Sequence, residues 1–306
     1  MRIIALELLF VLLWSSGFIG AKYGLPYTGT FTLLFIRYVF VTLLLGLWLR
    51  YRRQLRFKSW AAVGRSAIVG LLAHAIWLSA VLGAIDLGVS LWIVALITAL
   101  QPMATSVLSG PLLGEPVSPM QWVGMAVGLI GVVVVIAAKI GAQTDVSWLG
   151  YGLPFVSTIS LTLATLYQRH INRRQDGLTL PVIPSLFVQA AASAIALYPL
   201  AAWEGLQVQW TAPFIFALLW LALVLSLGAY GLMLKLLEYR TATRVSSLMY
   251  LSPPVTLVLG FLVFGDRLFW QDGIGLVVTA LGVGLVYQGE TAEVPSRANN
   301  LSSRMP

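Results

Sequence analysis

Arg37 is the residue whose type and position point most directly to chemistry, because it places a permanent positive charge inside the apolar run FTLLFIRYVFVTLLLGLW, residues 31–48. An arginine at such depth in a lipid bilayer is costly unless it faces protein or water. Its planar guanidinium binds carboxylates through two parallel hydrogen bonds. Two interpretations follow. Arg37 anchors an anionic group of a bound solute, or it ties hydroxyls and helix carbonyls together as a structural or gating element.

Other polar and aromatic side chains within apolar runs are candidates for the same binding site. In the first half of the chain they are Trp14, Ser15, His74, Trp77 and Gln101. In the second half they are Thr162, Gln189, Tyr230 and Tyr250. A few polar groups can orient a ligand, and tryptophans can form the wall of a pocket for an aromatic or apolar substrate. Packing, or a position at the membrane interface, explains the tryptophans equally well.

Glu7 and His74 are the candidates for proton coupling. Histidine titrates near neutral pH, and Glu7 is the only acid well inside a predicted span. Each also has a simpler interpretation. His74 can be hydrogen-bonded in place, and Glu7, near the start of its helix, can be stabilised by the helix dipole and water.

Pro102 and Pro253 are predicted to kink their helices, because a proline inside a helix leaves the carbonyl four residues earlier without a donor. A kink can shape a pocket, and it can also bend during a conformational exchange.

The composition excludes most classes of soluble protein. Of 306 residues, 59% are hydrophobic and 10% are charged, and the mean hydropathy is +0.89. These values indicate an all-α integral membrane protein. The chain contains no cysteine, so disulfides and thiolate metal sites are impossible. No phosphate-binding loop with its lysine is present. We expect no cofactor, no metal and no nucleic-acid partner.

Windows of about 20 apolar residues, the length that crosses a bilayer core, predict ten transmembrane helices. The predicted spans are 3–21, 31–49, 60–83, 89–113, 119–138, 149–168, 182–203, 212–234, 245–264 and 269–288. The polar tail, residues 289–306, is predicted to be disordered.

The distribution of lysine and arginine sets the predicted orientation. With a cytoplasmic N-terminus, 15 of the 19 basic residues fall inside, three fall outside (Lys22, Lys139 and Arg267) and Arg37 lies in the membrane. Cytoplasmic loops carry the excess of positive charge in membrane proteins. Both termini are therefore predicted to be cytoplasmic.

Depth can be estimated from the helical rise of about 1.5 Å per residue. Arg37 lies about 18 Å above the cytoplasmic end of its span, level with Trp14 and Ser15. His74, at about 21 Å, and Gln101, at about 18 Å, fall in the same layer. Glu7, at about 6 Å, is too near the cytoplasm to pair with Arg37 across ideal helices.

The two halves of the chain repeat. A shift of 151 positions superimposes residues 100–133 on residues 251–284 without a gap, so that Pro102 meets Pro253 and Gly114-Glu115 meets Gly265-Asp266. Near a shift of 152, Arg37 faces Gln189, although the first spans align too poorly to set a register. Each half, 1–140 and 141–288, contains five predicted spans. An odd number inverts the second half in the membrane, as in many secondary transporters.

These residues resemble the EamA-type transporters of the drug/metabolite transporter superfamily. The resemblance rests on WSSGFIGAKYG (residues 14–24), on Arg37, and on the Pro…Gly-Glu/Asp…Gly pattern at the end of each half, and it covers residues 3–288. It implies a bacterial inner-membrane carrier with a cavity between spans 1–4 and 6–9, and relatives that often export amino acids or other small metabolites. The second half lacks a clear copy of the segment 14–24.

The function predicted is secondary active export of small metabolites, such as amino acids, by alternating access, with the chain acting as a monomer. The main alternative is a broad exporter of lipophilic or cationic drugs, which would favour a carboxylate in the position that Arg37 occupies. A membrane-embedded enzyme is a further alternative, but the expected pair of carboxylates or nucleophile with a base is missing.

Overall fold

The computed structural model describes residues 2–54, 57, 59–114, 117–140, 147–174, 178–229, 232–233, 236, 248–266 and 270–302. The α-helices are α1 (Arg2–Gly24), α2 (Thr30–Tyr51), α3 (Trp60–Gly70), α4 (Trp77–Asp86), α5 (Leu91–Thr98), α6 (Gln101–Leu113), α7 (Pro119–Ile140), α8 (Trp148–Arg174), α9 (Val182–Trp203), α10 (Ala212–Leu219), α11 (Ser252–Phe264) and α12 (Trp270–Ser302). Outside the helices of this part of the chain, an isolated antiparallel bridge joins Thr28 to Val208.

Seven of the described helical segments are long and apolar enough to cross a membrane: Ile3–Tyr27, Thr30–Tyr51, Trp60–Asp86, Leu91–Leu113, Trp148–Asn172, Val182–Trp203 and Ala212–Ala229. Three shorter apolar helices are Pro119–Val134, Met249–Phe264 and Asp272–Val286. Each of these segments overlaps a different predicted span. Helices are the expected form, because a backbone in lipid must satisfy its hydrogen bonds within the segment.

Two of the apolar segments are interrupted by π-helical turns. Leu71–Ile76 lies between α3 and α4, and Trp220–Ala229 continues α10. A π-helix bonds each N–H to the carbonyl five residues earlier and is found often at functional sites. The sequence analysis did not predict either segment.

The predicted kink at Pro102 takes the form of a break between two helices. Helix α5 ends at Thr98, and α6 begins at Gln101 with the proline in its first turn. Thr98 is four residues before Pro102. Its carbonyl therefore receives no helical hydrogen bond from the proline, which has no backbone N–H. Pro253 likewise lies in the first turn of α11, after the short 3-10 helix Met249–Leu251.

Helices α6 and α11 end in the same way. Each has 13 residues. The residue after each helix is a glycine in the left-handed region, Gly114 with φ 66° and Gly265 with φ 67°. Glycine enters this region without the steric penalty of a Cβ atom, which makes it the common helix-terminating residue. The two glycines are 151 positions apart, the shift found in the sequence.

Helices α7 and α12 pack against each other through glycines. A Cβ atom on Gly124 would lie 2.6 Å from the carbonyl oxygen of Gly282, and one on Gly131 would lie 3.1 Å from that of Gly275. Small residues let helix backbones approach this closely. Gly275 is 151 positions after Gly124, and Gly282 is 151 positions after Gly131. The Gly124–Gly282 contact and the Gly131–Gly275 contact are therefore equivalent under the repeat.

The ends of helices α1 and α2 are joined to the second half at one end of the bundle. Lys22 Nζ donates to Asp266 Oδ1 at 2.9 Å and lies 4.3 Å from the centre of the Phe264 ring. The Glu204 carboxylate accepts from Thr32 N and Thr32 Oγ1, both at 2.7 Å, at the start of α2. An ion pair and a capped helix therefore join the two halves at this end of the bundle.

Helix α12 extends to Ser302 and so runs into the segment from residue 289, for which disorder stays a prediction. Residues 303–306 lie outside the described part of the chain.

Candidate functional site

A cavity of about 110 Å³ lies between α1, α2, α4, α9 and the two π-helical segments. Most of the described residues around it are aliphatic or aromatic. Its polar or ionisable lining groups, apart from the tryptophans, are Arg37, Tyr38, His74 and Ser226. Few polar groups within an apolar wall are typical of pockets for small molecules, where the polar groups set the orientation of the ligand.

Arg37 projects from α2 into this wall and is 4% exposed. Its Nη2 donates to Ser226 Oγ at 2.9 Å, and its Nε donates to the same oxygen at 3.3 Å. The guanidinium carbon lies 5.6 Å from the centre of the Tyr38 ring. Among the described residues, no carboxylate forms an ion pair with Arg37. A guanidinium has five N–H donors, so it retains donors for a further group.

Ser226 and Tyr38 are the polar lining residues that sequence reasoning missed, and Ser226 is the one that contacts Arg37 through a hydrogen bond. Ser226 lies in the π-helical segment Trp220–Ala229, and its hydroxyl donates to the Leu221 carbonyl at 3.1 Å. The oxygen can therefore accept from Arg37. The sequence did contain a signal for it, because Ser226 is the only hydroxyl-bearing residue in the apolar run 212–229.

His74 occupies the other π-helical segment. Its Nε2 lies 3.1 Å from Gln189 Oε1, and the amide nitrogen of Gln189 donates to Ser185 Oγ at 3.0 Å. In this arrangement the amide oxygen faces the imidazole, and a carbonyl oxygen accepts a hydrogen bond from an Nε2–H tautomer of the histidine. The imidazole also lies 5.3 Å from the Tyr38 ring.

Gly70 allows helix α3 to come close enough for this bond. A Cβ atom on Gly70 would lie 2.5 Å from the Cα of Gln189, so the two backbones are in direct contact. The Ser193 hydroxyl donates to the Gly70 carbonyl at 3.1 Å and joins the same two helices. The histidine is thus held by a rigid contact between α3 and α9.

The two hydrogen bonds are related by one shift along the sequence. Gln189 is 152 positions after Arg37 (189 − 37), and Ser226 is 152 positions after His74 (226 − 74). The shift converts the Arg37–Ser226 pair into the Gln189–His74 pair. Each bond joins the first half of the chain to the second. Because the repeat ends align at 151, the second half has one residue fewer between these positions and Leu251.

Trp14 and Trp77 form a flat aromatic wall beside the charged group. Their rings are stacked, with centroids 6.2 Å apart and an interplanar angle of 21°. Both residues line the cavity. Phe10 supports Trp14 from the next turn of α1 at 5.8 Å.

The remaining predicted site residues lie elsewhere. Ser15 donates to Ser252 at 3.1 Å, and Gln101 donates to Thr105 at 2.9 Å and Thr165 at 3.2 Å. Thr162 is fully buried, and Tyr250 is partly buried. Neither is among the cavity-lining residues, and Gln189 lies behind His74. Tyr230 lies outside the described residues.

Helix rotation explains why a shared depth did not bring all of these residues together. Ser15 and Trp14 are adjacent, but successive residues point about 100° apart on a helix of 3.6 residues per turn. Trp14 faces the cavity and Ser15 faces α11. Gln101 is turned towards α8 for the same reason.

Glu7 is 4% exposed and lies two turns before Trp14 on α1. It is not among the cavity-lining residues. Any part that it plays in proton coupling is separate from the wall that contains Arg37.

Comparison with known proteins identifies a family of membrane transporters. The EamA-like transporter family matches residues 1–137 and 148–288. The chain is similar to a probable amino-acid metabolite efflux pump of Salmonella typhimurium, with 24% identity over 91% of this chain and 92% of the relative. It is also similar to an uncharacterized transporter of Archaeoglobus fulgidus, with 21% identity over 90% of this chain and 95% of the relative.

Two further matches are partial or structural. An uncharacterized transporter of Bacillus subtilis, YvbV, is 29% identical over 61% of this chain, and the match spans 59% of that relative. A solved crystal structure superimposes with a TM-score of 0.64 at 17% identity, over 95% of this chain and 99% of the other. This last likeness concerns the fold alone.

Proposed function

The chain belongs to the EamA-like transporter family and is a multi-pass membrane protein, not an enzyme; from this premise we propose that it exports small organic metabolites across a bacterial inner membrane by alternating access. The proposed substrates carry a carboxylate, and amino acids or their derivatives are the first class to test. The relative from Salmonella, which is named a probable amino-acid metabolite efflux pump, supports this choice.

The observation that carries the proposal is the pair of hydrogen bonds related by the shift of 152 positions. Both lie at the cavity and both cross between the halves. A carrier with two inverted five-helix repeats has two similar packings, one open to each side. The two contacts are equivalent in position but differ in chemistry. In this scheme one of them stabilises the packing that is open to one side, and the other stabilises the packing that is open to the opposite side.

Arg37 supplies the recognition of the substrate in this scheme. Its charge is buried, its one described hydrogen-bond partner is a neutral hydroxyl, and it retains N–H donors at the cavity. A buried cation is stabilised when an anion pairs with it. The substrate carboxylate takes that position, while Ser226 keeps the guanidinium in place.

The proposed topology has ten transmembrane helices, both termini in the cytoplasm, and an outer end at which the Lys22–Asp266 ion pair closes the bundle. The basic residues of the sequence support this orientation. With the Lys22–Asp266 ion pair outside, substrate enters from the cytoplasmic side, as export requires.

Transport in proteoliposomes tests the proposal. The full chain is reconstituted, and the efflux of a panel of radiolabelled amino acids, carboxylic acids and amines is measured for wild type and for Arg37→Gln. We expect saturable transport of carboxylates that Arg37→Gln abolishes. Transport of lipophilic amines that is unaffected by Arg37→Gln would instead support the alternative, a cation exporter.

A further inference from the structure

We infer that the cavity selects a monocarboxylate with a single aromatic or branched apolar body and without an ammonium group, in preference to the corresponding zwitterionic amino acid. The inference rests on the proposed function for one point, that the carboxylate binds Arg37. It goes further in assigning the chemistry of the remainder of the substrate.

The first argument is the charge of the wall. Among the described residues that line the cavity, Arg37 is positively charged and none is acidic. One negative charge on the ligand therefore neutralises the site. A zwitterion brings the same carboxylate together with a positive charge that has no carboxylate partner in this wall.

The second argument is the supply of hydrogen-bond acceptors. An ammonium group has three donors and no acceptor. The Ser226 oxygen already accepts two bonds from Arg37, and Nε2 of His74 is engaged with Gln189. The Leu221 carbonyl accepts from Ser226 at 3.1 Å, which leaves the Tyr38 hydroxyl as the further side-chain oxygen of the described lining. An ammonium in this position would exchange several water acceptors for fewer protein acceptors, which is unfavourable.

The third argument is geometric. The α-ammonium of an amino acid is two bonds from the carboxylate carbon, so a carboxylate bound to Arg37 holds the ammonium near the guanidinium. Like charges at short distance repel, and the repulsion is strongest in a wall of low polarity. The penalty falls on the amino acid and is absent for the carboxylate that lacks the amino group.

The fourth argument concerns the apolar body of the ligand. The stacked Trp14 and Trp77 rings form one side of the cavity, and Leu221 and Leu225 face it from the π-helical segment. An apolar cavity of about 150 Å³ binds benzene. A cavity of about 110 Å³ therefore limits the apolar body to at most a single ring or a short branched aliphatic chain.

A matched series of ligands tests the inference. In the aromatic series, 3-phenylpropanoate and L-phenylalanine share one carbon skeleton and differ by the amino group, and 2-phenylethylamine is L-phenylalanine without its carboxylate. In the aliphatic series, 4-methylpentanoate, L-leucine and 3-methylbutylamine are related in the same way. Dissociation constants are measured by isothermal titration with the purified full chain in lipid nanodiscs. We expect each carboxylate to bind at least tenfold more tightly than its amino acid, and the amines not to bind.

The outcomes separate this inference from the proposed function. If the amino acids bind as tightly as the carboxylates and Arg37→Gln abolishes their binding, the inference is wrong and the proposed function stands. If the amines bind most tightly and Arg37→Gln has no effect, both are wrong. If neither carboxylate binds, the inference is wrong.

Two variants support the titration. Arg50→Gln removes an exposed arginine from the same helix and serves as the control for Arg37→Gln, so it should leave the order of affinities unchanged. Ser226→Asp gives Arg37 an internal carboxylate and keeps the guanidinium paired. It should weaken 3-phenylpropanoate binding at least tenfold, because the aspartate takes the place of the ligand. Unchanged affinity in Ser226→Asp would overturn the inference.

Discussion

The Arg37–Ser226 bond and the Gln189–His74 bond occupy equivalent positions in the two halves but differ in charge. The lengths are alike, 2.9 Å for the shorter Arg37 contact and 3.1 Å for the Gln189 contact. In the first pair a permanent cation donates to a hydroxyl. In the second pair a neutral amide accepts from a neutral imidazole. The repeat therefore preserves which helices meet at the cavity, and it leaves the chemistry of each meeting point free to differ.

The surroundings of the two pairs differ as well. The Gln189 pair is supported by the backbone contact at Gly70 and by the bond from Ser193 to the Gly70 carbonyl. At the position 152 after Gly70 the chain has Ala222, and the Arg37 pair is held by Ser226. The neutral pair therefore has a second bond between its helices, whereas the Arg37 guanidinium retains N–H donors for a further group. This difference suits the charged pair to ligand binding and the neutral pair to joining helices.

Among the changes that separate the two pairs, loss of the charge at Arg37 is expected to have the largest effect on carboxylate binding. Arg37→Gln should weaken carboxylate binding by on the order of 100-fold, because hydrogen bonds to charged groups contribute about 1.5–3 kcal/mol each. Arg37→Lys keeps the charge but not the planar fork, and should lose about tenfold. Titration of the purified variants measures both. A well-folded Arg37→Gln protein with wild-type affinity would show that Arg37 is a structural tie.

Moving the charge to the other half is expected to have the next largest effect. The variant Arg37→Gln, His74→Ser, Gln189→Arg, Ser226→His exchanges the two pairs across the repeat. If the positions are equivalent, carboxylate binding should recover by about tenfold relative to Arg37→Gln alone, since the new arginine again has a serine partner. The same titration measures the recovery. If the variant folds but binding does not recover, the two positions are equivalent in their backbone placement and not in ligand binding.

Gly70→Ala tests the rigidity of the neutral pair. The added Cβ must displace the Gln189 backbone, and overpacking of this kind costs about 1–3 kcal/mol. Gly64→Ala on the same helix is the matched control, because nothing lies within 4 Å of its added Cβ. We expect Gly70→Ala to lower the thermal unfolding temperature and Gly64→Ala to leave it unchanged or raise it. Equal stability of the two variants would contradict the backbone contact.

Removal of both proton-coupling candidates is expected to have the smallest effect on substrate binding. The variant Glu7→Gln, His74→Gln should bind carboxylates nearly as well as wild type, because it leaves Arg37 and its described partner Ser226 unchanged. Its transport should lose the response to an imposed proton gradient. Efflux from proteoliposomes with and without a pH difference measures that response. A double variant with the wild-type response would exclude both residues from coupling.

Part of the cavity lining could be predicted from the sequence alone. A charge in an apolar run has few tolerable environments, so the burial of Arg37 in the bundle follows from its cost in lipid. Trp14, His74 and Trp77 were also predicted and do line the cavity. Ser15 and Gln101 share their depth but point elsewhere, because distance along a helix does not determine which face meets which neighbour.

The sequence by itself determined the apolar helices, the repeat at 151 positions and the glycines that end α6 and α11, because each depends on local properties: hydropathy, fixed spacing and the steric freedom of glycine. Only the tertiary structure decided that Ser226 meets Arg37, that Gly70 rests on the Gln189 backbone and that π-helical turns carry both His74 and Ser226. A π-helical turn rotates every later residue of its helix by a part of a turn, so it changes which side chains face the cavity without any large change in composition. The partner of each polar group was therefore set by how two helices approach each other, which no single segment of the chain contains.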